Sequence, residues 1–162
     1  MEFEGRILIV TGAAGGIGLA TARELAGLGA RLVVTDVDGP RLERELDELA
    51  AACEAGDLTD PAVRARVVER ALGLGGLDGL VCCHGIAGMA PILDFPLELW
   101  QRQHDVNSTS IFFLCQAAAP HIRPGESLGK ELGEDLDQFV FGVGGGEVVH
   151  IDPRRGVPNL ES

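Results

Sequence analysis

No tyrosine occurs among the 162 residues, and of thirteen basic residues only Lys130 is a lysine. No phenol is therefore available as an acid or base, and a site built on lysine has one residue to draw on. Basic charge is scarce as a whole. Thirteen Lys+Arg stand against 25 Asp+Glu for a net charge of -12, which repels a phosphate backbone from most of the surface and excludes nucleic acid as a partner. No apolar run reaches the roughly 18 residues of a membrane span. The opening MEFEGRILIV carries acids where a secretory signal needs a basic region, so a cytoplasmic protein with no membrane partner is expected. Cys53, Cys82, Cys83 and Cys115 lack the spacing of a secreted disulfide framework and read as reduced, buried thiols.

What is present suits one globular domain. Hydrophobic residues make up 46% of the chain, and at this length roughly 68–70% of the unfolded surface can be buried, so a core forms without staples. Arg6 to Val10 (RILIV) reads as a strand closed by the small residues of TGAAGGIG. Ile17, Leu19, Ala20, Ala22, Leu25 and Leu28 then follow helical spacing. Arg31 to Thr35 (RLVVT) is a second strand, and Pro40 to Ala51 a second helix with Leu42, Leu46 and Leu49 on one face. Cys53 to Ala55 reads as a brief third strand. Thr59 or Asp60 then caps a helix with Pro61 in its first turn and Val63, Val67, Val68, Ala71 and Leu72 on its apolar face. Leu77 to Cys83 (LDGLVCC) is a fourth strand. Strands alternating with helices in this way indicate an α/β fold with a doubly wound parallel sheet in three α/β/α layers, Rossmann-like and incomplete at its C-terminal side.

Pro96 to Pro120 is the longest helical stretch, with a break expected near Asn107. The single domain over 1–162 divides into a regular part, 1–125, an insertion or connector, 126–146, and a tail, 147–162, whose EVVHI reads as a fifth strand.

Thr11, Gly12, Gly16 and Gly18 form TGxxxGxG between a strand and a helix. Glycines there permit positive φ, let the backbone approach a pyrophosphate, and leave the helix amino terminus facing the anion. The turn lacks the GK[ST] of a P-loop. Asp36 closes the second strand 18 residues beyond Gly18, near the spacing of about 20 at which an acid accepts hydrogen bonds from the adenosine ribose. A carboxylate there repels a 2′-phosphate. A dinucleotide is thus the expected ligand, with NAD preferred over NADP, although Arg41 lies close in sequence. The bland alternative is a tight strand-to-helix turn followed by a strand-end acid.

From about Gly5 to Gly125 the sequence resembles the short-chain dehydrogenase/reductase family. TGAAGGIG matches the family's TGxxxGxG, which brings Ile17 into the cofactor-binding set. GDLTD sets Asp57 and Leu58 where members place an acid beside the adenine. LVCCHGIAG resembles the NNAG strand end, with Cys83 and Gly85 at cofactor-facing positions, and DVNSTSIFFLCQAAAPHIRPG resembles the segment around the catalytic asparagine, here Asn107. The resemblance implies an oxidoreductase that exchanges hydride between NAD and an alcohol or carbonyl substrate.

Departures bear on that implication. Cys82, Cys83 and His84 replace Asn, Asn and Ala, so the bracing of the strand end is expected to be weakened. Asp152 and Pro153 fall near the catalytic serine's place, and the family's YxxxK has no counterpart, as if the chain stopped before the helix that carries it. Of the catalytic groups only Asn107 is matched, and an amide is neither acid nor base. Little or no turnover is expected from this chain alone. The alternatives are a non-catalytic dinucleotide-binding or association module, and an inactive shortened product. In the family, the helix after Asn107 pairs with its copy in a dimer. Ile111, Phe112, Leu114 and Ala118 are therefore expected to be under-covered, offering a homo-oligomer contact through 108–122. No metal site is expected: consecutive strand residues alternate faces, so Cys82, Cys83 and His84 cannot converge on one ion.

Overall fold

The computed structural model describes residues 3–46, 49 and 51–123. Four parallel strands, β1 (Ile7–Thr11), β2 (Arg31–Thr35), β3 (Ala52–Cys53) and β4 (Gly79–Cys82), form a sheet in the order β3-β2-β1-β4. The register sets Thr11 between Thr35 of β2 and Cys82 of β4. Among the described residues five α-helices accompany them: α1 (Gly16–Gly27), α2 (Gly39–Leu46), α3 (Pro61–Gly73), α4 (Leu97–His104) and α5 (Ser110–Ala118).

Alternation along β1 builds the layers. Ile7 and Ile9 point to one face and pack with Val63, Val67 and Ala71 of α3 and Ile111, Leu114 and Ala118 of α5. Leu8 and Val10 point to the other and pack with Ala22 of α1 and Leu42 and Leu46 of α2. Because both faces are covered, β1 is apolar throughout apart from its last residue, as a central parallel strand should be. Each valine, leucine or isoleucine among them contributes about 1.5–3 kcal/mol by leaving water, and none of the buried core residues described is aromatic.

Local signals place the elements. Asp60 caps α3, its carboxylate accepting the Ala62 N–H at 2.8 Å, with Pro61 in the first turn. Thr59 turns back to Asp57 instead. The third strand sits at Ala52–Cys53, one residue earlier than its apolar run suggests, and β4 proper spans Gly79–Cys82. Before it, Leu77 bridges to Ile122, and Asp78 accepts the Ile7 N–H at 2.7 Å while pairing with Arg123 and, at 3.6 Å, with Arg6. The expected break in the long helix is real. Over Asp105–Thr109 the turns widen to the i→i+5 pattern, the Ser110 N–H donating to the Asp105 carbonyl.

One expectation is corrected by α5. Ile111, Leu114 and Ala118 are buried in the core, and of the four residues expected to lack cover only Phe112 is exposed, at 63%. An apolar helix face next to α3 is filled by α3 itself. Arg64 of α3 holds the two together, donating to the Leu58 carbonyl at 2.6 Å with its guanidinium 5.4 Å from the Phe113 ring centre. The connector, the acidic stretch 131–137 and the fifth strand of the sequence reading lie outside the described residues, as does the end of the expected second helix at residues 47, 48 and 50.

Candidate functional site

The strand order reverses direction between β1 and β4, since β2 and β3 build outward on one side and β4 returns to the other. A crevice opens at the carboxyl ends of strands on either side of such a switch point. Thr11, Gly12, Asp36, Cys83 and Gly85 all follow or close those strand ends, and Asp57 and Leu58 follow β3.

The turn after β1 is shaped by close backbone packing. Gly12 has φ +63°, and a Cβ there would sit 2.7 Å from the Cys83 carbonyl and the His84 nitrogen. A Cβ on Gly18 would strike the Gly12 carbonyl. Gly16 differs, because a Cβ there would meet nothing within 4 Å. Two glycines are thus required by the fold, and the third leaves open space at the amino terminus of α1. That terminus is capped by Gly15, which supplies no side-chain hydrogen bond, so first-turn N–H groups and the positive end of the helix dipole face the crevice. Ile17 beside it is 71% exposed. An open cradle, unpaired N–H groups and no Cβ in the way fit the pyrophosphate of a dinucleotide.

Asp36, half-buried just beyond β2, accepts the Ala14 N–H at 3.0 Å on one oxygen and the Asp38 N–H at 3.1 Å on the other. Its carboxylate is thereby fixed against the glycine turn with lone pairs to spare. Asp57 accepts both the N–H and the hydroxyl of Thr59, at 2.9 and 2.8 Å, and pairs with Arg102 of α4 at 2.7 Å. Burial opposes its charge, but the Thr59 and Arg102 hydrogen bonds and the Arg102 charge outweigh it and hold its pKa below the ordinary carboxylate value. The Leu58 side chain is buried in the core.

At the end of β4 the expected weakening does not occur. The Cys83 N–H donates to Thr11 Oγ1 at 3.1 Å, Thr11 Oγ1 lies 2.6 Å from His84 Nδ1, and His84 Nε2 lies 2.8 Å from Ser110 Oγ, whose hydroxyl donates to the Val106 carbonyl at 2.7 Å. The imidazole thus supplies bracing in place of the family's asparagines. Burial pushes the His84 pKa down to about 4, against the opposing pull of Asp36 and Asp57. Cys82 turns into the core against Cys115, and that neighbouring thiol together with burial raises its pKa well above the ordinary value. Cys83 turns toward Thr21, and burial raises its pKa as well. No disulfide joins any of the four cysteines.

Asn107, in the widened turn, grips the peptide of Ile86: Oδ1 accepts its N–H and Nδ2 donates to its carbonyl, both at 2.8 Å. A Cβ on Gly85 would come within 3.3 Å of the same Oδ1. Asn107 therefore holds the loop after β4 close to the helix. Asn107 also lines a groove of about 230 Å³ together with Trp100, Gln103, His104 and Ser108. The glycine turn, Asp36, Cys83 and Gly85 are brought together around the β1 and β4 ends. Ser110 and Arg102 were not singled out by sequence reasoning; His84 was, but as a replacement expected to weaken the strand end, whereas its two ring nitrogens brace it.

The sequence matches the short chain dehydrogenase family over residues 6–130. It is 33% identical to 1-deoxy-11-beta-hydroxypentalenate dehydrogenase of Streptomyces exfoliatus over 89% of this chain and 56% of that one. It is also 33% identical to 2-dehydro-3-deoxy-L-rhamnonate dehydrogenase (NAD(+)) of a Sphingomonas strain, over 74% and 49%. Among solved structures, a short-chain dehydrogenase/reductase of the glucose/ribitol dehydrogenase type from Brucella melitensis superposes with a TM-score of 0.74 at 32% identity, covering 82% of this chain and 59% of that chain. The chain belongs to the short-chain dehydrogenase family, whose members are oxidoreductases that bind NAD(P). It spans about half the length of the relatives it matches. Among the described residues no helix is long and apolar enough to cross a membrane.

Proposed function

We propose that this chain forms the dinucleotide-binding half of a short-chain dehydrogenase and takes NAD in preference to NADP. The observation that carries the reading is Asp36, whose carboxylate is fixed by the Ala14 N–H at 3.0 Å beside the open cradle of Gly16. In this reading the diphosphate lies on the first turn of α1 against Gly12, Gly16, Ile17 and Gly18, and Asp36 accepts from the adenosine ribose hydroxyls. Asp57, with Leu58 next to it, flanks the adenine, while Cys83 and Gly85 border the nicotinamide half and Thr11, fully buried, supports them from behind. NAD held by these residues would provide hydride-transfer chemistry, with an alcohol or carbonyl compound as the substrate class. Asn107 keeps the loop after β4 in place with both ends of its amide. The sequence holds no tyrosine, so these residues bind the cofactor without furnishing the proton donor of the reaction. Disulfide-free thiols suit the cytoplasm, and the exposed Phe112 on α5 is where a second copy would pack.

Calorimetric titration of residues 1 to 162 with NAD and with NADP tests the reading, with Asp36→Ala as the control. Saturable binding with NAD tighter than NADP, the preference shrinking in the variant, is the expected result. A folded protein that gives no heat with either nucleotide refutes it.

A further inference from the structure

The four hydrogen bonds around His84 run in one direction. The single Ser110 hydroxyl proton goes to the Val106 carbonyl, so Ser110 Oγ faces His84 Nε2 as an acceptor, 2.8 Å away. Nε2 therefore carries a proton. Nδ1 is then bare and accepts the Thr11 hydroxyl proton at 2.6 Å, and Thr11 Oγ1 in turn accepts the Cys83 N–H at 3.1 Å. Every donor has an acceptor. The opposite tautomer would take the Ser110 proton away from Val106 and leave the Thr11 proton only the Cys82 sulfur, a weak acceptor. Thr11 and Ser110 are both buried, at 0% and 1% exposure, so a proton left unpaired there has no water to turn to.

Thr11 ends β1 and leads into Gly12. Ser110 begins α5 and directly follows the widened turn that carries Asn107. The imidazole, 73 residues from one and 26 from the other, is a rigid spacer between the two halves of the site.

We propose that His84, as the neutral Nε2–H tautomer, is a positioning residue that clamps Thr11 to Ser110 and so fixes the distance between the glycine turn and the Asn107 turn. Its bearing on cofactor binding rests on the reading above; the clamp itself does not. Glutamine is the informative substitute, since its amide presents one acceptor and one donor at a spacing close to that of the two ring nitrogens, whereas alanine presents neither.

The test uses the whole chain with ¹⁵N-labelled histidine, followed by amide exchange and NAD titration of His84→Gln and His84→Ala. The expected imidazole spectrum of the unaltered protein at neutral pH shows one fixed tautomer with Nε2 protonated. Exchange of the Cys83 and Ile86 amides should speed by about tenfold or more in His84→Ala, the loss of roughly one buried hydrogen bond's worth of protection, and be largely restored in His84→Gln. NAD affinity should follow the same order. A protonated Nδ1, two tautomers in exchange, or unchanged amide protection in His84→Ala overturns the clamp. If the unaltered chain binds neither nucleotide, the function reading fails while the tautomer and exchange data still decide on His84.

Discussion

Asn107 and Ile86 are joined by two hydrogen bonds of equal length, 2.8 Å from the amide oxygen to the Ile86 N–H and 2.8 Å from the Ile86 carbonyl to the amide nitrogen. A side-chain amide matches a peptide group donor for acceptor, so no other residue of this size serves both atoms. Asn107→Asp keeps the acceptor and turns the donor into a second negative oxygen against a carbonyl. It should destabilise the protein by about 0.5–1.5 kcal/mol and speed exchange at the Ile86 amide, which NMR would follow directly. Unaltered exchange would mean the grip contributes nothing in solution.

The three glycines of the turn should separate by role. Gly18→Ala drives a Cβ into the Gly12 carbonyl, where backbone must move, so loss of several kcal/mol or failure to fold is expected. Gly16→Ala meets open space and sits in the first turn of a helix, so thermal stability should hold or rise by a few tenths of a kcal/mol. NAD affinity should nevertheless fall, because the methyl group enters the cradle. Equal melting temperatures for the two variants would contradict this division.

Thr35, opposite Thr11 in the sheet, has its hydroxyl buried with no hydrogen-bond partner among the described residues. An unpaired buried hydroxyl costs about 1–3 kcal/mol, and valine has nearly its shape. Thr35→Val should therefore raise the midpoint of denaturant unfolding with no change in its slope. A lowered midpoint would show that the hydroxyl has a partner in solution.

Acid should loosen the fold through His84. Its folded pKa of about 4 lies below the ordinary 6.5, burial outweighing Asp36 and Asp57, the charged groups that favour its protonation. The unfolded chain then binds the proton more readily, so the contribution of neutral His84 is complete above pH 6.5 and is lost as pH falls from there to about 4. The total is on the order of 3 kcal/mol. Unfolding free energy measured across that range should slope less in His84→Gln than in the unaltered protein. Parallel slopes would assign the acid sensitivity elsewhere. Asp78 acts lower still: burial opposes its charge, but the bonds from Arg123 and Ile7 win and depress its pKa, so its stabilisation is lost only below the ordinary carboxylate value.

Much of this was legible in the chain because it is local. Val10, Gly12 and Asp36 announce a strand, a turn and a strand end within a few residues each, and Asp60-Pro61 announces a helix start. The face of α5 was not legible, since IFFLCQAAA is apolar nearly all round and only the approach of α3 decides that Ile111 is buried and Phe112 exposed. The bracing role of His84 escaped for a related reason. Its partners are 73 and 26 residues away, brought together by the β1–β4 pairing and the widened turn, and no spacing rule connects a strand-end histidine with a helix serine. The Asp57–Arg102 pair, 45 residues apart, was hidden in the same way.

The central claim, that a dinucleotide lies across the carboxyl ends of β1, β2 and β4, is tested most directly by titrating NAD into the ¹⁵N-labelled chain and mapping the amide shifts. The account predicts saturable changes concentrated at Gly12, Gly16, Ile17, Asp36 and Cys83, with Asp78 and the far end of the sheet unmoved. Saturable changes confined to other surfaces, or none from a protein whose spectrum is folded, would contradict it.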